Sequence, residues 1–76
     1  MQVKLLAFAQ ARQQLGFAEK LVECSEERTP RAMLAELAPG FDPHGMRVAV
    51  DEEYHDWDRP VGQAREIALI PPVSGG

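Results

Sequence analysis

The chain has 76 residues, enough for one small domain near the lower limit at which a single hydrophobic core sustains a fold. Acidic residues outnumber basic ones by 12 to 8, and the resulting net charge of −4 argues against nucleic acid as a partner, because nucleic acid attracts basic surfaces. The single cysteine excludes an internal disulfide. The sequence has no signal peptide and no apolar run of the ~20 residues that a membrane span needs. Together these features predict a cytoplasmic protein with no membrane partner.

The chain begins with the alternating pattern of a β-strand. Lys4 should face water, so Leu6 and Phe8 lie on its side of the strand while Val3 and Leu5 enter the core. Two outward apolar side chains indicate either a docking surface or a patch that a second layer or loop covers. The pattern alone leaves both interpretations open.

A short helix and a second strand are expected next. Residues 9–15 are rich in Ala, Gln and Arg, which favour one or two helical turns, and Gly16 is a natural helix end. Residues 18–24 predict a strand whose buried face the sequence does not define. We interpret Cys24 as a small buried apolar residue rather than a nucleophile, because no histidine lies near it in the sequence.

The main helix is predicted to begin at Thr29 and Pro30. Thr29 can cap the first turn, and Pro30 fits the first helical position, where no amide hydrogen is needed. The Pro-Gly pair at 39–40 ends the helix, and residues 41–45 form a loop by composition. The apolar side chains recur at helical spacing and are interpreted as core packing; they are Met33, Leu34, Leu37 and Ala38.

Two more strands complete the pattern, over residues 46–50 and 66–70. Both alternate with period two, so each presents one side to the core. The inward residues are Val48, Val50, Ile67 and Leu69, and the outward residues are Arg47, Ala49, Ala68 and Ile70.

An acidic stretch lies between these strands, at residues 51–58, with His55 and Trp57 within it. Residues 51–53 predict a turn, and a short segment follows at 54–58. The acids and the histidine suggest a metal site, but their spacing matches neither a calcium loop nor a tetrahedral zinc site. We interpret the stretch as a solvated acidic surface and expect no metal site.

The end of the chain is poorly explained as a structural element. Pro71 and Pro72 hold the backbone extended, and beyond Val73 the chain carries no bulk and stops on Gly75 and Gly76. A frayed terminus is the simplest explanation for two glycines alone. An apolar strand that runs into a stiff spacer and a bare end is better explained as a reactive terminus that enters a partner.

These features divide the chain into a domain over residues 1–72 and a flexible C-terminal Gly-Gly tail over residues 73–76. Four extended residues reach at most ~13–14 Å. A tail this thin can thread a narrow channel and present its carboxylate inside another protein.

The segment IALIPPVSGG resembles the C-terminus of the small subunit of molybdopterin synthase, a family of ubiquitin-like sulfur carriers. The resemblance extends to VKLLAFAQARQQLG and to RVAVDEEYHDWDRPV, so it spans most of the chain in the same order. It implies an α+β fold of the β-grasp type. In that fold a mixed sheet of four to five strands packs on one main helix, and the last strand joins the first in parallel.

Two places depart from the family pattern. Asp51 stands where the family usually has Asn, and Gln63-Ala64-Arg65 replaces a common Asp-Gly-Asp before the last strand. A turn that needs a positive φ becomes costly without glycine, so we expect altered geometry there. Neither change touches the tail.

The resemblance also implies a chemistry for the terminal carboxylate of Gly76. This group has a pKa near ~3.5, so it is ionised at neutral pH and a poor electrophile. A ubiquitin-activating-like adenylyltransferase would use ATP to form an acyl-adenylate, and a sulfur donor protein would displace AMP to leave a thiocarboxylate. In a heterotetramer, the large subunit of molybdopterin synthase would bind cyclic pyranopterin monophosphate and receive the sulfur. The chain itself would bind no cofactor and would not be catalytic alone, with Gly75 giving access to the reactive end.

Strand parity predicts where these partners dock. If the first and last strands are neighbours, their outward apolar residues form a patch at the root of the tail, and stiff prolines aim the tail from it. The acids Asp56 and Asp58 add steering toward a basic rim. The predicted partner-binding residues are Leu6, Phe8, Ile70, Pro71, Pro72 and Val73.

Other functions stay open at this point. The chain could carry sulfur for another product such as the thiamine thiazole, or modify proteins by forming isopeptide bonds through Gly76. It could also be a β-grasp binding module with an inert tail. An enzyme with its own active site is the least favoured, because no nucleophile, base and orienting group can be placed together.

Overall fold

Five strands and two helices make up the computed structural model of the chain, which describes residues 1–72. Within this range no helix is long and apolar enough to cross a membrane. The strands are Gln2–Ala7 (β1), Glu19–Glu23 (β2), Arg47–Val50 (β3), Glu53–His55 (β4) and Glu66–Ile70 (β5), and the helices are Ala9–Leu15 (α1) and Pro30–Leu37 (α2).

The strands form one mixed sheet in the order β2-β1-β5-β3-β4. The last strand, β5, runs parallel to β1 and antiparallel to β3, so it occupies the centre of the sheet with a partner on each side. Helix α2 supplies buried side chains to the core, together with the strands, helix α1 and the loops. This architecture confirms the expected α+β, β-grasp class, with a mixed sheet of five strands.

Alternating burial confirms the inward faces that the sequence predicts for β1 and β5. Val3, Leu5, Ile67 and Leu69 are fully buried, because a strand with one buried face places every second side chain in the core. The core is completed by apolar residues of both helices, β2, β3 and the loops; among them are Ala11, Val22, Cys24, Met33, Leu34, Met46, Val48, Val61 and Ala64.

Helix α2 begins where its sequence predicts. The Thr29 hydroxyl accepts a hydrogen bond from the amide of Ala32 at 3.2 Å, which satisfies one of the free N–H groups of the first turn. Pro30 takes the first helical position. Met33 and Leu34 then bury the apolar side of the helix, with 3% and 2% exposure.

Strand β3 differs from its prediction in detail. Ala49 lies on the outward side, as expected, but only 6% of it is exposed, because it pairs with Ala68 on one side and Tyr54 on the other. Val50, predicted to be inward, is half-buried and packs against the margin of the core. Because Ala49 is small and has a partner strand on each side, it is buried even though it lies on the face of the sheet opposite the core.

The segment before β5 places its positive φ on a glycine. Gln63, Ala64 and Arg65 all keep negative φ, and the positive φ falls on Gly62 instead, at 64°. Ala64 enters the core with 4% exposure. Residues 63–65 therefore avoid the cost of a positive φ without a glycine, because the positive φ lies one residue earlier, at Gly62.

Candidate docking face and tail root

One row of apolar side chains crosses the face of the sheet opposite the core. Leu6 on β1 pairs with Ala68 on β5, Ala68 pairs with Ala49 on β3, and Ala49 pairs with Tyr54 on β4. Paired residues of neighbouring strands point to the same side. Leu6 and Tyr54 therefore bound a row in which the two alanines leave a shallow depression.

A second row lies next to the tail. Ile70 is the last residue of β5 and pairs with Arg47, while Phe8 follows β1 directly on the other side. The Arg47 guanidinium stacks over the Tyr54 ring at 3.9 Å from its centre, which links the two rows. We call the apolar residues of both rows the open-face patch; they are Leu6, Phe8, Ala49, Tyr54, Ala68 and Ile70, and all six line one hollow.

Helix α1 leaves this patch uncovered. Phe8 is the N-cap residue of α1 and is 48% exposed. The helix turns its one buried residue, Ala11, into the core on the opposite side of the sheet. Of the two interpretations open from the sequence, an exposed surface describes the free chain, and the structure brings Leu6, Phe8 and Ile70 together as strand parity predicted.

The charged residues around the patch carry both signs. Glu52 and Glu66 line its hollow, Lys4 pairs with Glu66 at the neighbouring register position, and Arg47 lies beside Ile70. A mixed rim of this kind gives register and orientation to a docked partner more than raw affinity.

The acids at 56 and 58 lie in a separate turn. The Asp56 carboxylate accepts a hydrogen bond from the Asp58 amide at 2.8 Å, and the Asp58 carboxylate accepts one from Arg31 Nε at 2.8 Å. This hydrogen bond and the charge of Asp58 raise the pKa of Arg31. Since Asp58 is already paired, Asp56 is the freer of the two for steering a partner.

Pro71 and Pro72 follow directly on the end of β5. Pro71 is half-buried and Pro72 is exposed. The other predicted site residues, Val73, Gly75 and Gly76, lie outside the described part of the chain.

The start of β5 is fixed by a residue whose role the sequence did not reveal. Asp51 adopts the left-handed conformation, with φ 50°, which Asp tolerates better than most residues. Its carboxylate oxygen Oδ1 accepts hydrogen bonds from the amides of Arg65 and Glu66, both at 2.9 Å, and its own amide donates to the Glu66 carbonyl at 2.9 Å. The departure from Asn therefore keeps an acceptor oxygen in place.

Neither a metal cluster nor a reactive thiol is found in residues 1–72. Within this range no three His, Cys, Asp or Glu side chains lie close enough together to hold a metal ion. Cys24 is free, 6% exposed and part of the core, and burial raises the pKa of its thiol. A thiol that resists ionisation is a poor nucleophile, which agrees with its interpretation as a core residue.

Comparison with known proteins places this chain in a family. The ThiS family model matches residues 5–76. The molybdopterin synthase sulfur carrier subunit of Caenorhabditis briggsae is 38% identical over 97% of this chain and 96% of its own length. That of Arabidopsis thaliana is 31% identical over 100% of this chain and 84% of its own length.

A solved structure supports the fold independently. SAMP1 from Haloferax volcanii superposes with a TM-score of 0.74 at 21% identity, and the match covers 100% of both chains. The family model and the curated relatives together show that the chain belongs to the ThiS family and to the molybdopterin synthase sulfur carrier subunits.

Proposed function

We propose that this chain carries sulfur as a thiocarboxylate on Gly76 and donates it to cyclic pyranopterin monophosphate, forming the dithiolene of molybdopterin. The observation that carries the proposal is the placement of the open-face patch. Ile70 belongs to the patch and is joined directly to Pro71, the first of the two prolines that precede the Gly-Gly tail. A partner that binds the patch therefore has the terminal carboxylate within the reach of the six residues that follow Ile70.

The proposed chemistry begins with activation of the carboxylate. A carboxylate oxygen attacks the α-phosphorus of ATP, pyrophosphate leaves, and an acyl-adenylate forms. A sulfur nucleophile then attacks the carbonyl carbon, the carbon–oxygen bond to AMP breaks, and AMP departs with the electron pair. The product is a thiocarboxylate, in which one carboxylate oxygen has been exchanged for sulfur.

Donation of the sulfur to the pterin returns Gly76 to its carboxylate form. The thiocarboxylate sulfur forms a bond to a carbon of the pterin substrate, and an oxygen leaving group departs from that carbon with its electron pair. Water then cleaves the carbonyl–sulfur bond, which regenerates the Gly76 carboxylate and leaves a thiol on the substrate; a second thiocarboxylated carrier supplies the other sulfur of the dithiolene in the same way. The chain supplies the carrier carboxylate, and its partners supply the acid–base groups.

Three partners follow from this cycle. An adenylyltransferase consumes the ATP, a sulfur donor protein loads the carrier, and the large subunit of molybdopterin synthase binds the pterin. We propose that the adenylyltransferase and the large subunit both dock on the open-face patch, in turn, and that carrier and large subunit form a heterotetramer in the cytoplasm. The chain holds no cofactor of its own in this scheme.

The test is the intact mass of the chain after incubation with the adenylyltransferase, ATP and a sulfide source. We expect the mass gain of one oxygen-to-sulfur exchange, lost again when the large subunit and cyclic pyranopterin monophosphate are added. Deleting Gly76, or adding one residue after it, should abolish the exchange. The melting temperature should stay nearly unchanged, because the core cluster is built from residues between Val3 and Leu69.

Two results would contradict the proposal. A chain without Gly76 that still gains sulfur would show that the terminal carboxylate is not the carrier group. Conjugates of the full chain with lysine side chains of other proteins, formed in place of the thiocarboxylate, would show that it acts as a protein modifier.

A further inference from the structure

A side chain of helix α1 holds the loop between α2 and β3. The Gln14 amide nitrogen Nε2 donates a hydrogen bond to the Asp42 carbonyl at 3.0 Å, and the Asp42 amide donates one to Gln14 Oε1 at 2.8 Å. One glutamine thus satisfies both backbone groups of a single loop residue, as a neighbouring strand would do. These two residues are 28 positions apart in sequence.

Other hydrogen bonds stabilise the loop over residues 41–45 and its junction with β3 at Met46. The Asp42 carboxylate accepts one from the His44 amide at 3.0 Å. Trp57 Nε1 donates one to the Met46 carbonyl at 3.3 Å, and the Met46 amide donates to the Pro43 carbonyl at 2.8 Å. The Gln14 bonds attach this folded loop to helix α1.

The loop passes beside the root of the tail. Strands β3 and β5 pair with Arg47 opposite Ile70 and Val48 opposite Leu69, so the same register places Gly45 opposite Pro72. The two residues lie next to each other, because a β-carbon added at Gly45 would stand 3.5 Å from both Cβ and Cγ of Pro72.

Packing of the proline rings, rather than hydrogen bonds from their backbone nitrogens, holds Pro71 and Pro72 in place. Proline has no amide hydrogen, so neither Pro71 nor Pro72 can donate to the β3 side as the residues of β5 do. Their direction therefore depends on what their rings contact. The Pro72 ring lies beside the Gly45 backbone, whose φ of +75° favours glycine.

We propose that Gln14 is a positioning residue for sulfur transfer: by holding the loop over residues 41–45 it supports Pro72 and so fixes the direction in which the tail leaves the sheet. The inference rests on the proposed function, since a direction matters only if the terminal group must reach a reaction centre. Reacting atoms must approach to about 3–3.5 Å, and a misplacement of about 1 Å can cost on the order of 100-fold in rate. A displacement of Pro72 shifts the point from which the tail must reach that centre.

The test compares Gln14→Ala with Gln13→Ala. Both glutamines are exposed residues of α1, and the same change of helix propensity applies to both, but the bonds to Asp42 belong to Gln14 alone. Thiocarboxylated carriers are mixed with the large subunit and cyclic pyranopterin monophosphate, and a single turnover is followed over a range of carrier concentrations. We expect Gln14→Ala to lower the rate at saturation about tenfold, a moderate case of misalignment. Its half-saturating concentration should stay within about twofold, because the open-face patch is intact.

A second variant and a structural readout separate positioning from stability. Gln14→Glu keeps an acceptor for the Asp42 amide but replaces the donor to the Asp42 carbonyl with a carboxylate oxygen, so its rate should also fall below that of wild type. Proton–proton NMR contacts between Gly45 and Pro72 should be strong in wild type and Gln13→Ala and weakened in Gln14→Ala.

Each outcome bears on a different claim. A wild-type chain that transfers sulfur while Gln14→Ala matches it in rate, or keeps the Gly45–Pro72 contacts, overturns the positioning role alone. A loss in Gln14→Ala that appears only as weaker half-saturation, with equal rates at saturation, overturns it too, because docking would then be the affected step. A wild-type chain that never acquires or transfers sulfur overturns the proposed function and this inference with it.

Discussion

Replacing Phe8 with alanine separates a docking residue from a core residue, and the structure sets the expected size of each effect. Fully burying a phenylalanine side chain contributes about 1.5–3 kcal/mol, and Phe8 is 48% exposed. About half of that contribution, on the order of 1 kcal/mol, should be lost from the free energy of unfolding. In a domain of this size a loss of about 1 kcal/mol lowers the melting temperature by roughly 4–8 °C.

Binding should respond more strongly than stability to the same change. An aromatic anchor at the centre of an interface contributes about 2 kcal/mol or more, so the dissociation constant for the large subunit should rise about 30-fold or more. Titration calorimetry with the large subunit and with the adenylyltransferase measures both affinities, and urea unfolding measures stability.

Leu21→Ala is the matched control for Phe8→Ala. Leu21 is 61% exposed on the edge strand β2, on the same face of the sheet as the patch but beyond Lys4, with which it pairs, so its loss should raise both dissociation constants much less than the loss of Phe8. A stability loss of ~3–5 kcal/mol, the cost of emptying a core site, with both affinities intact would refute the assignment of Phe8 to docking.

Two further predictions concern residues away from the patch. Asp51→Ala should lower the free energy of unfolding by about 1–3 kcal/mol, because two hydrogen bonds to the start of β5 are lost and alanine tolerates a positive φ less well; Asp51→Asn keeps the acceptor oxygen, and equal losses in both variants by urea titration would count against this account. Burial raises the pKa of the Cys24 thiol, so the unfolded chain releases its proton first and the free energy of unfolding should fall as the pH rises past the ordinary thiol value. Iodoacetamide at about pH 8 should accordingly alkylate the folded chain at least about tenfold more slowly than the urea-unfolded chain, and similar rates would show that the thiol is accessible.

The sequence was most informative where burial is one-sided. Strands β1 and β5 each have one face in the core, so alternation alone identified Val3 and Leu5 as inward and Leu6 as outward. Strand β2 gave no such signal, because it lies at the sheet edge and only Val22 of its five residues is buried. An edge strand has too few buried neighbours to impose a pattern.

The parts of the site that sequence reasoning missed depend on contacts between distant segments. Ala49 and Tyr54 complete the open-face patch only because β3 and β4 pair in one particular register, which no local pattern reveals. The same holds for Gln14 and Asp42, whose contact joins a helix to a loop 28 residues later. Asp51 offered one local signal. An aspartate at a strand end can adopt a positive φ, and its carboxylate can accept hydrogen bonds from nearby backbone amides.

Because β5 is fixed in the sheet, we expect sulfur transfer to depend on the number of residues that follow this strand more than on the affinity of docking. Strand β5 pairs on both sides, and a slip of one residue would turn Ile67 and Leu69 out of the core. Burial of each contributes about 1.5–3 kcal/mol, so the strand cannot slide to adjust its end. The distance from a partner on the open-face patch to the terminal carbon is then set by the number of residues after Ile70. One residue spans up to about 3.3–3.6 Å, as much as the whole approach distance of about 3–3.5 Å between reacting atoms. An insertion of one residue after the prolines should thus stop transfer even though docking, which lies upstream of it, is unchanged.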